Sequence, residues 1–245
     1  MLPLSEIRPY YSEELHRFPR FMLREYLQYK ILEILYESPF ATDLCFLGGT
    51  CLRIVHGNRR FSEDLDFDNI SLEEDAFKEV ANEIQKGLER EGYEVELKTM
   101  MKGAWHCHIK FPGLLFDEGL SGHQEEKILI QLDTEPQHFD YDPEQFLLNR
   151  FEVFSTIWTT PPLLMAQKLY AIINRDRNKG RDFYDLAFLM GRDIKPNYQY
   201  LEAKVSISDP ESLKEAVLTK CQQLDMEAKA KDVEPFLFDA SKALT

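Results

Sequence analysis

Residues 43–68 bring a short apolar run, two adjacent glycines and a row of alternating aspartates together in direct succession. The apolar run, Asp43–Leu47, predicts a strand, and Gly48 with Gly49 predicts a turn at its end. Thr50–His56 is long enough for one or two helical turns. Because neither glycine has a Cβ, the backbone at this corner can pass close to a ligand.

The segment Phe61–Asp68 alternates as a strand does, with Asp64, Asp66 and Asp68 on one face and apolar residues on the other. Asp64 and Asp66 are then roughly 6.6–7 Å apart along the strand. Two carboxylates at that distance repel each other, and a divalent cation between them removes the repulsion. Mg²⁺ commonly sits between one or two carboxylates and the phosphates of a substrate, so the pair predicts a site for Mg²⁺, with Mn²⁺ as the alternative ion.

Thr50 supplies a hydroxyl and backbone N–H groups at the start of the short helix, where partial positive charge favours phosphate. The competing interpretation is a glycine-rich turn beside solvated aspartates on an exposed strand, which usually holds for an isolated D-x-D. Here a strand, a diglycine, a hydroxyl, a short helix and a D-x-D strand occur in order. That order favours a site for phosphate and metal at Gly48, Gly49, Thr50, Asp64 and Asp66.

A third carboxylate is available at Asp133. It ends the predicted strand Lys127–Asp133, on the face opposite Ile128, Ile130 and Leu132. If this strand lies beside the D-x-D strand, Asp133 completes a three-carboxylate site that can hold two metal ions about 3.5–4 Å apart. The alternative is an aspartate that begins the turn after a strand, which is common. We favour the metal site.

Lys168 lies in the middle of an otherwise apolar helix, predicted over Leu163–Asn174. Such a lysine either reaches solvent along the helix surface or meets an anion, and the local sequence is compatible with both. Arg175 follows seven residues later, almost two helical turns along the same face.

The next predicted helix, Arg181–Met190, carries Asp182 and Asp185 on one face at i, i+3. Helix capping and an ion pair with Arg181 account for these two carboxylates as well as a functional role does. Basic residues are dense around this segment, and they either grip nucleic-acid phosphates or form a solvated surface that offsets nearby carboxylates. These basic residues are Arg59, Arg60, Arg175, Arg177, Lys179 and Arg181.

His106 and His108 share one face of a predicted strand at a spacing that zinc sites use, with Cys107 opposite. No third and fourth ligands are evident, so we assign the two histidines no metal role.

Periodicity elsewhere predicts a sheet with helices on it, followed by helices only. A helix is expected over Ser12–Glu37 and another over Ser71–Gly92, then strands over Tyr93–Thr99 and Trp105–Phe111. Residues 136–162 are expected to be irregular. The helices predicted beyond them are Leu163–Asn174, Arg181–Met190, Glu211–Leu224 and Val233–Leu244. The two adjacent prolines after residue 160 mark a boundary, which predicts domains at 1–160 and 161–245.

The 245 residues include 43 Asp and Glu against 29 Lys and Arg, a formal net charge of −14. This balance argues against nonspecific nucleic-acid binding over the whole surface, so any polyanion must meet a local basic patch. No apolar run approaches the roughly 18 residues that span a bilayer, and the start lacks the features of a secretory signal. Four cysteines without CxxC spacing support neither a zinc ribbon nor a disulfide framework. We expect a cytoplasmic protein without membrane contact.

The motif blocks at residues 48–50 and 60–67, together with Lys168 and residues 181–185, resemble the AbiEii/AbiGii-type nucleotidyltransferases. This family belongs to the DNA polymerase beta-like superfamily and includes toxins of type IV toxin–antitoxin systems. The resemblance extends over about Glu25–Met190. It implies an α+β fold, in which a mixed-sheet nucleotidyltransferase domain precedes a C-terminal helical bundle.

By residue match, the resemblance implies that Gly49 and Thr50, with Gly48 beside them, hold the triphosphate of an NTP and that Asp64 and Asp66 bind Mg²⁺.

The same resemblance gives roles to residues further along the chain. Lys168 corresponds to the family's phosphate-contacting lysine and Asp182 to the acidic residue of its late motif. Asp133 matches the superfamily's third carboxylate more loosely, by its position on a later strand. We add Arg175 and Asp185, which share faces with Lys168 and Asp182, to the predicted nucleotide-binding residues.

The implied activity is transfer of a nucleoside monophosphate from an NTP to an acceptor hydroxyl, with release of pyrophosphate. RNA, and the tRNA 3′ end in particular, is the implied acceptor, and a cognate antitoxin is the implied partner of a toxin or phage-defence component. Two alternatives stay open. One is nucleotidylation of a protein or small-molecule hydroxyl, which is worth holding because a tRNA-binding surface is usually more basic than this chain. The other is a non-catalytic nucleotide-binding module.

Overall fold

The computed structural model of the chain describes residues 1–136 and 141–242, which form two units. The first, here called the sheet unit, contains Met1–His56 and Phe61–Thr159. The second, the helical unit, contains Gly57–Arg60 and Thr160–Thr245. The assignment of residues 1–160 and 161–245 to two domains stays a prediction.

The sheet unit alternates helices and strands. Its helices are Leu4–Ile7 (α1), Pro19–Tyr36 (α2), Gly48–Ile54 (α3), Glu74–Arg90 (α4) and Leu114–Asp117 (α5), with 3-10 turns at Arg8–Tyr10 and Glu13–Arg17. Its strands are Leu44–Leu47 (β1), Leu65–Asn69 (β2), Glu96–Lys102 (β3), Ala104–Phe111 (β4), Ile128–Glu135 (β5), Glu144–Arg150 (β6) and Val153–Thr159 (β7).

Strands β1 to β5 form one mixed sheet in the order β1-β2-β5-β4-β3. Only β2 and β5 pair in parallel among these strands, and the other neighbours are antiparallel. The long connection between β2 and β5 contains α4 and the β3–β4 hairpin, as a parallel pair requires. The chain is therefore α+β, with a mixed sheet followed by helices, which confirms the predicted fold class.

One face of this sheet is apolar and covered by helices. Helix α2 packs against α4, β5 and β7, and α4 packs against β3. The side chains of Leu27, Ile31 and Phe77 on these helices are buried, as are Phe67 and Leu132 on the strands. Each such burial contributes about 1.5–3 kcal/mol to folding. The opposite face of the sheet is left for polar side chains.

The long N-terminal helix is shorter than predicted. It begins at Pro19, after a 3-10 turn at Glu13–Arg17, and the intervening Phe18 has φ −114° and ψ 51°. A proline suits the first position of a helix but disfavours helical geometry in the residue before it, so the helix expected from Ser12 is interrupted here.

Residues 136–162 were expected to be irregular, but residues 144–159 form the β6–β7 hairpin, so the expectation was wrong for that part. Residues 137–140 of this range lie outside the described residues. The hairpin turn holds Phe151 at φ 58°, and its ring packs at 5.3 Å from Tyr26 and 5.2 Å from Tyr29 between ring centroids. Phe154 in β7 is 66% exposed, and such an exposed aromatic residue obscures the alternation that marks a strand.

The helical unit contains the later helices. They are Pro161–Asn174 (α6), Gly180–Met190 (α7), Tyr198–Val205 (α8), Pro210–Gln222 (α9) and Met226–Val233 (α10), with 3-10 turns at Glu234–Phe236 and Ala240–Lys242.

Three departures from prediction lie in this unit, and one of them is helix α10 (Met226–Val233), which was not predicted. Helix α8 was not predicted, although the Asn197 side chain caps it by accepting a hydrogen bond from the backbone N–H of Tyr200 at 2.8 Å. The helix expected over Val233–Leu244 was wrong, because the last α-helix ends at Val233, where Pro235 disfavours its continuation. Residues 243–245 of that expectation lie outside the described residues.

Within the described part of the chain, no helix is both long enough and apolar enough to cross a bilayer.

Candidate functional site

One row of polar side chains crosses the open face of the sheet. Asp66 of β2 is the register partner of Asp133 in β5, and Asp133 is the register partner of His106 in β4. Neighbouring strands lie about 4.8 Å apart, so the three residues stand side by side. Leu65 and Leu132, the preceding register pair, are buried on the other face. The strand of Asp133 therefore lies beside the D-x-D strand, as a three-carboxylate site requires.

The diglycine corner meets Asp66 directly. Gly48 has φ +74°, and a Cβ built on it would lie 2.0 Å from Oδ2 of Asp66. A side chain at position 48 would therefore overlap the carboxylate, and the left-handed φ would add strain. The backbone of α3 can approach Asp66 this closely only because residue 48 is glycine.

Thr50 connects the same corner to the other aspartate. It is fully buried, and its hydroxyl donates a hydrogen bond to the backbone carbonyl of Asp64. The hydroxyl thus ties α3 to the start of the aspartate strand. Gly48, Thr50, Asp64 and Asp66 are brought together as the sequence predicts, and Gly49 is buried next to them in α3. Their roles toward a nucleotide stay predictions.

Asp133 has two hydrogen-bond donors that sequence reasoning missed. His106 Nδ1 lies 2.6 Å from Oδ1 of Asp133, and Gln131 Nε2 donates to Oδ1 and Oδ2 at 2.8 Å each. Gln131 could have been found from the sequence, because a residue two positions earlier in a strand shares the same face. His106 requires the β4–β5 register, which the sequence does not display.

Asp68, the third alternating aspartate, is enclosed. It is 2% exposed and accepts a hydrogen bond from the hydroxyl of Tyr141. Burial, followed by the neighbouring Cys45 and Asp68, raises the pKa of Tyr141 well above its usual range. Burial also raises the pKa of the Cys45 thiol to about 12. Tyr141 and Cys45 therefore stay protonated at neutral pH, and both lie next to Asp68.

The donor set suits a divalent cation. Asp64, Asp66 and Asp133 are half-buried carboxylates, and hard cations such as Mg²⁺ prefer carboxylate oxygens. In residues 1–136 and 141–242, no three His, Cys, Asp or Glu side chains are already grouped as a metal site. Holding a metal ion therefore calls for rotation of these side chains, which their partial exposure permits.

The predicted site residues of the helical unit form a separate ionic cluster. Lys168 Nζ lies 3.0 Å from Oδ1 of Asp182 and 2.9 Å from Oδ2 of Asp185. Arg175 Nη1 donates to Oδ2 of Asp182 at 2.9 Å. Burial alone lowers the pKa of Lys168, but the carboxylates of Asp185 and Asp182 outweigh that effect and raise the pKa above its usual value. Lys168 therefore stays charged.

Asp185 is the centre of this cluster and is completely buried. Arg60 donates to both of its oxygens at 2.6 Å, and Asn58 Nδ2 donates to Oδ1 at 2.8 Å. Burial raises the pKa of Asp185, but Lys168 and Arg60 more than reverse that effect and hold the pKa below its usual range. Its place in nucleotide binding stays a prediction, whereas its structural role is visible: it anchors residues 57–60 in the helical unit.

A family model described as the nucleotidyl transferase AbiEii toxin of type IV toxin–antitoxin systems matches residues 30–244. The chain belongs to this family. It is therefore a nucleotidyltransferase by class, and the AbiEii family implies an NTP as substrate and an antitoxin as partner. The comparison with curated proteins finds no match.

Two crystal structures from Helicobacter pylori share the fold. JHP933 is 19% identical with a TM-score of 0.50, over 87% of this chain and 88% of that chain. A proposed nucleotidyltransferase is 19% identical with a TM-score of 0.51, over 91% of this chain and 92% of that chain. At this identity the likeness shows the fold alone.

The Arg60–Asp185 pair of this AbiEii family member makes a testable contribution to stability. Replacing Arg60 with methionine removes two charge-assisted hydrogen bonds from a buried carboxylate, so we expect a loss of about 3–5 kcal/mol in the free energy of unfolding. Arg59→Met is the matched control, because the neighbouring Arg59 is exposed. Urea unfolding of both variants at pH 7 measures the difference, and equal stability of the two would contradict the role of Arg60.

Acid should remove this contribution. The pKa of Asp185 is lower in the folded chain than in the unfolded chain, where it is about 3.9. The pair therefore stabilises fully above that unfolded value, and its contribution is lost as the pH falls from about 4 toward the folded pKa. We expect the difference in unfolding free energy between wild type and Arg60→Met to shrink between about pH 5 and about pH 3. This range extends roughly one pH unit on either side of the unfolded pKa of Asp185.

Proposed function

We propose that this AbiEii family member transfers a nucleoside monophosphate from an NTP to a hydroxyl group of RNA, with the tRNA 3′ end as acceptor and Mg²⁺ as cofactor. The observation that carries the proposal is the register pairing of Asp66 with Asp133 beside the Gly48 corner. Two carboxylates lie side by side there, next to a glycine whose lack of a side chain leaves room for a ligand. This arrangement suits a metal-bound triphosphate.

In the proposed reaction, the acceptor oxygen forms a bond to the α-phosphorus of the NTP. The bond from that phosphorus to the oxygen bridging toward the β-phosphate breaks, and pyrophosphate leaves with the electron pair. Asp133 accepts the proton of the acceptor hydroxyl. Asp64, Asp66 and Asp133 would hold the metal ion, which when bound neutralises phosphate charge and lowers the pKa of the hydroxyl.

The remaining predicted residues would bind and position the phosphates of the NTP. The backbone at Gly48, Gly49 and Thr50 would lie along the phosphates. There is room for them because the two glycines have no side chain and the side chain of Thr50 is buried. We retain Lys168 and Arg175 as the proposed source of positive charge for the phosphates. Asp182 contacts both cations and Asp185 contacts Lys168, so these carboxylates would set the positions of the two cations rather than touch the nucleotide.

The charge distribution supports RNA as the acceptor. The helical unit holds 15 Lys and Arg against 13 Asp and Glu, whereas the sheet unit holds 14 against 30. The acidic balance of the chain therefore belongs to the sheet unit alone. The exposed cations of the helical unit include Arg59, Arg175, Arg177 and Lys179. Arg60, buried against Asp185, does not contribute to such a surface.

RNA binding by the helical unit should depend on these cations and on salt. We expect Arg177→Glu with Lys179→Glu to weaken tRNA binding by about 10-fold or more. The slope of the logarithm of the binding constant against the logarithm of the salt concentration should fall in magnitude by the amount that corresponds to about two phosphate contacts. Lys204→Glu with Lys214→Glu, which replaces two exposed lysines of α8 and α9 in the same way, is the control for net charge. Filter binding across a salt series measures both quantities.

Equal weakening by both sets of substitutions would contradict a local RNA surface. Absence of tRNA binding at low salt, together with NTP-dependent labelling of a protein or a small molecule, would favour the alternative acceptor. A lack of NTP turnover with every acceptor would leave a nucleotide-binding module. We further propose that the enzyme acts in the cytoplasm as a toxin or phage-defence component controlled by a cognate antitoxin.

A further inference from the structure

We infer that His106 is a positioning residue of the transfer reaction, which acts by holding the Asp133 carboxylate. This inference rests on the proposed function of Asp133 and adds a residue to that site. His106 Nδ1 lies 2.6 Å from Oδ1 of Asp133, and the two residues are direct register partners in β4 and β5. Their side chains are 30% and 26% exposed, so the contact is accessible from the open face of the sheet.

The direction of this hydrogen bond follows from chemistry. An ionised carboxylate only accepts hydrogen bonds, so the ring nitrogen that faces Asp133 carries a proton and donates the hydrogen bond. Nε2 then points away from Asp133. Orientation of a metal-binding carboxylate by a neighbouring donor is a recurring arrangement in metal sites, where loss of the donor typically costs about 10–100-fold in affinity or activity.

The two carboxylate oxygens of Asp133 have different hydrogen-bond partners. Oδ1 accepts from both His106 and Gln131, whereas in the described residues Oδ2 accepts from Gln131 alone. Oδ2 therefore keeps lone pairs for a metal ion or for the acceptor hydroxyl. Because Asp133 stands between Asp66 and His106, the histidine also supplies a donor on the side away from the like charge of Asp66.

His106 is distinguishable from its neighbour on the same strand. His108 shares the face of His106 but stands opposite Gln131, two register positions away, and Asp133 has no hydrogen bond from it in the described residues. A role that depends on imidazole side chains in general would be shared by both histidines. A role that depends on the contact with Asp133 belongs to His106.

Three substitutions test the inference. His106→Leu removes the donor, His106→Asn keeps an N–H close to the position of Nδ1, and His108→Leu removes the other imidazole. We expect His106→Leu to lower kcat for NTP-dependent labelling of tRNA about 10–100-fold with little change in the KM for NTP. His106→Asn should recover most of the loss, and His108→Leu should stay within about twofold of wild type.

Metal binding gives a readout that is independent of turnover. Titration of the NTP-free protein with Mn²⁺, followed by electron paramagnetic resonance, should show affinity about 10-fold weaker in His106→Leu than in wild type and near-normal affinity in His106→Asn. Thermal unfolding should show all three variants folded. A His106→Leu variant with wild-type kcat and Mn²⁺ affinity would overturn the inference, as would equal loss in His106→Leu and His106→Asn.

Failure of this inference differs from failure of the proposed function. If wild type labels tRNA, Asp66→Asn does not, and His106→Leu is unaffected, only the role of His106 is wrong. If wild type transfers no nucleotide to RNA and binds no Mn²⁺, the proposed function fails first.

Discussion

Replacing Asp66 with asparagine is expected to reduce nucleotidyl transfer on the order of 10³-fold or more while leaving the chain folded. The substitution keeps the shape of the side chain and removes its negative charge. Asp66 stands between Gly48 and Asp133, so it is the carboxylate most closely placed to share a metal ion with both ends of the site. Incorporation of labelled NTP into tRNA measures the loss.

Stability separates this role from a structural one. Asp66 is half-buried on the polar face, and removing one of several neighbouring negative charges relieves repulsion, so the melting temperature should stay within about 3 °C of wild type. Asp75→Asn is the control, because Asp75 is an exposed carboxylate on α4. If Asp66→Asn unfolds the chain, or retains full activity, Asp66 does not hold the metal ion.

Replacing Gly48 with alanine should disable the site by a different route. The new Cβ would lie 2.0 Å from Oδ2 of Asp66, and φ +74° would strain any residue other than glycine. The Asp66 side chain must then move away from its present position. A displacement of about 1 Å in a reacting group typically costs 10²-fold in rate, so we expect a loss of at least about that size.

Gly103 provides the matched control for backbone strain. It has φ +73° in the β3–β4 turn, and a Cβ there meets no atom within 4 Å. Gly103→Ala should therefore cost about 1–2 kcal/mol in stability, with activity near wild type. Gly48→Ala should cost about 1–3 kcal/mol more, because its Cβ also displaces a carboxylate. Equal losses of stability and activity in the two variants would contradict the role of the close contact between residue 48 and Asp66.

The residues of the sheet site were predictable where alternation is clean. Polar and apolar residues alternate over residues 65–68 and 130–133, so the face of each aspartate followed from the sequence. The close contact of Gly48 with Asp66 agrees with a diglycine corner. The order of the strands did not follow from periodicity, since it depends on which side chains fill the space under α2 and α4.

Contacts between distant residues set the limit of prediction. Arg60 and Asp185 are 125 positions apart, and no local pattern shows that the arginine selects this carboxylate instead of a solvated position. His106 had only its spacing to His108 as a signal, and without a third and a fourth ligand that spacing gave it no role. Its contact with Asp133 depends on the pairing of β4 with β5, a tertiary property. In both cases the residue types were visible, and their partners were not.

The central claim is transfer of the α-phosphoryl group of an NTP, with its nucleoside, to an RNA hydroxyl at the Asp66–Asp133 site. Parallel incubations of the protein, Mg²⁺ and tRNA with α-labelled and with γ-labelled NTPs test it directly. We predict that the α-label becomes attached to tRNA in the wild type and not in Asp66→Asn, while the γ-label leaves as pyrophosphate. Attachment of the γ-label to tRNA, or α-labelling that persists in Asp66→Asn, would contradict the account.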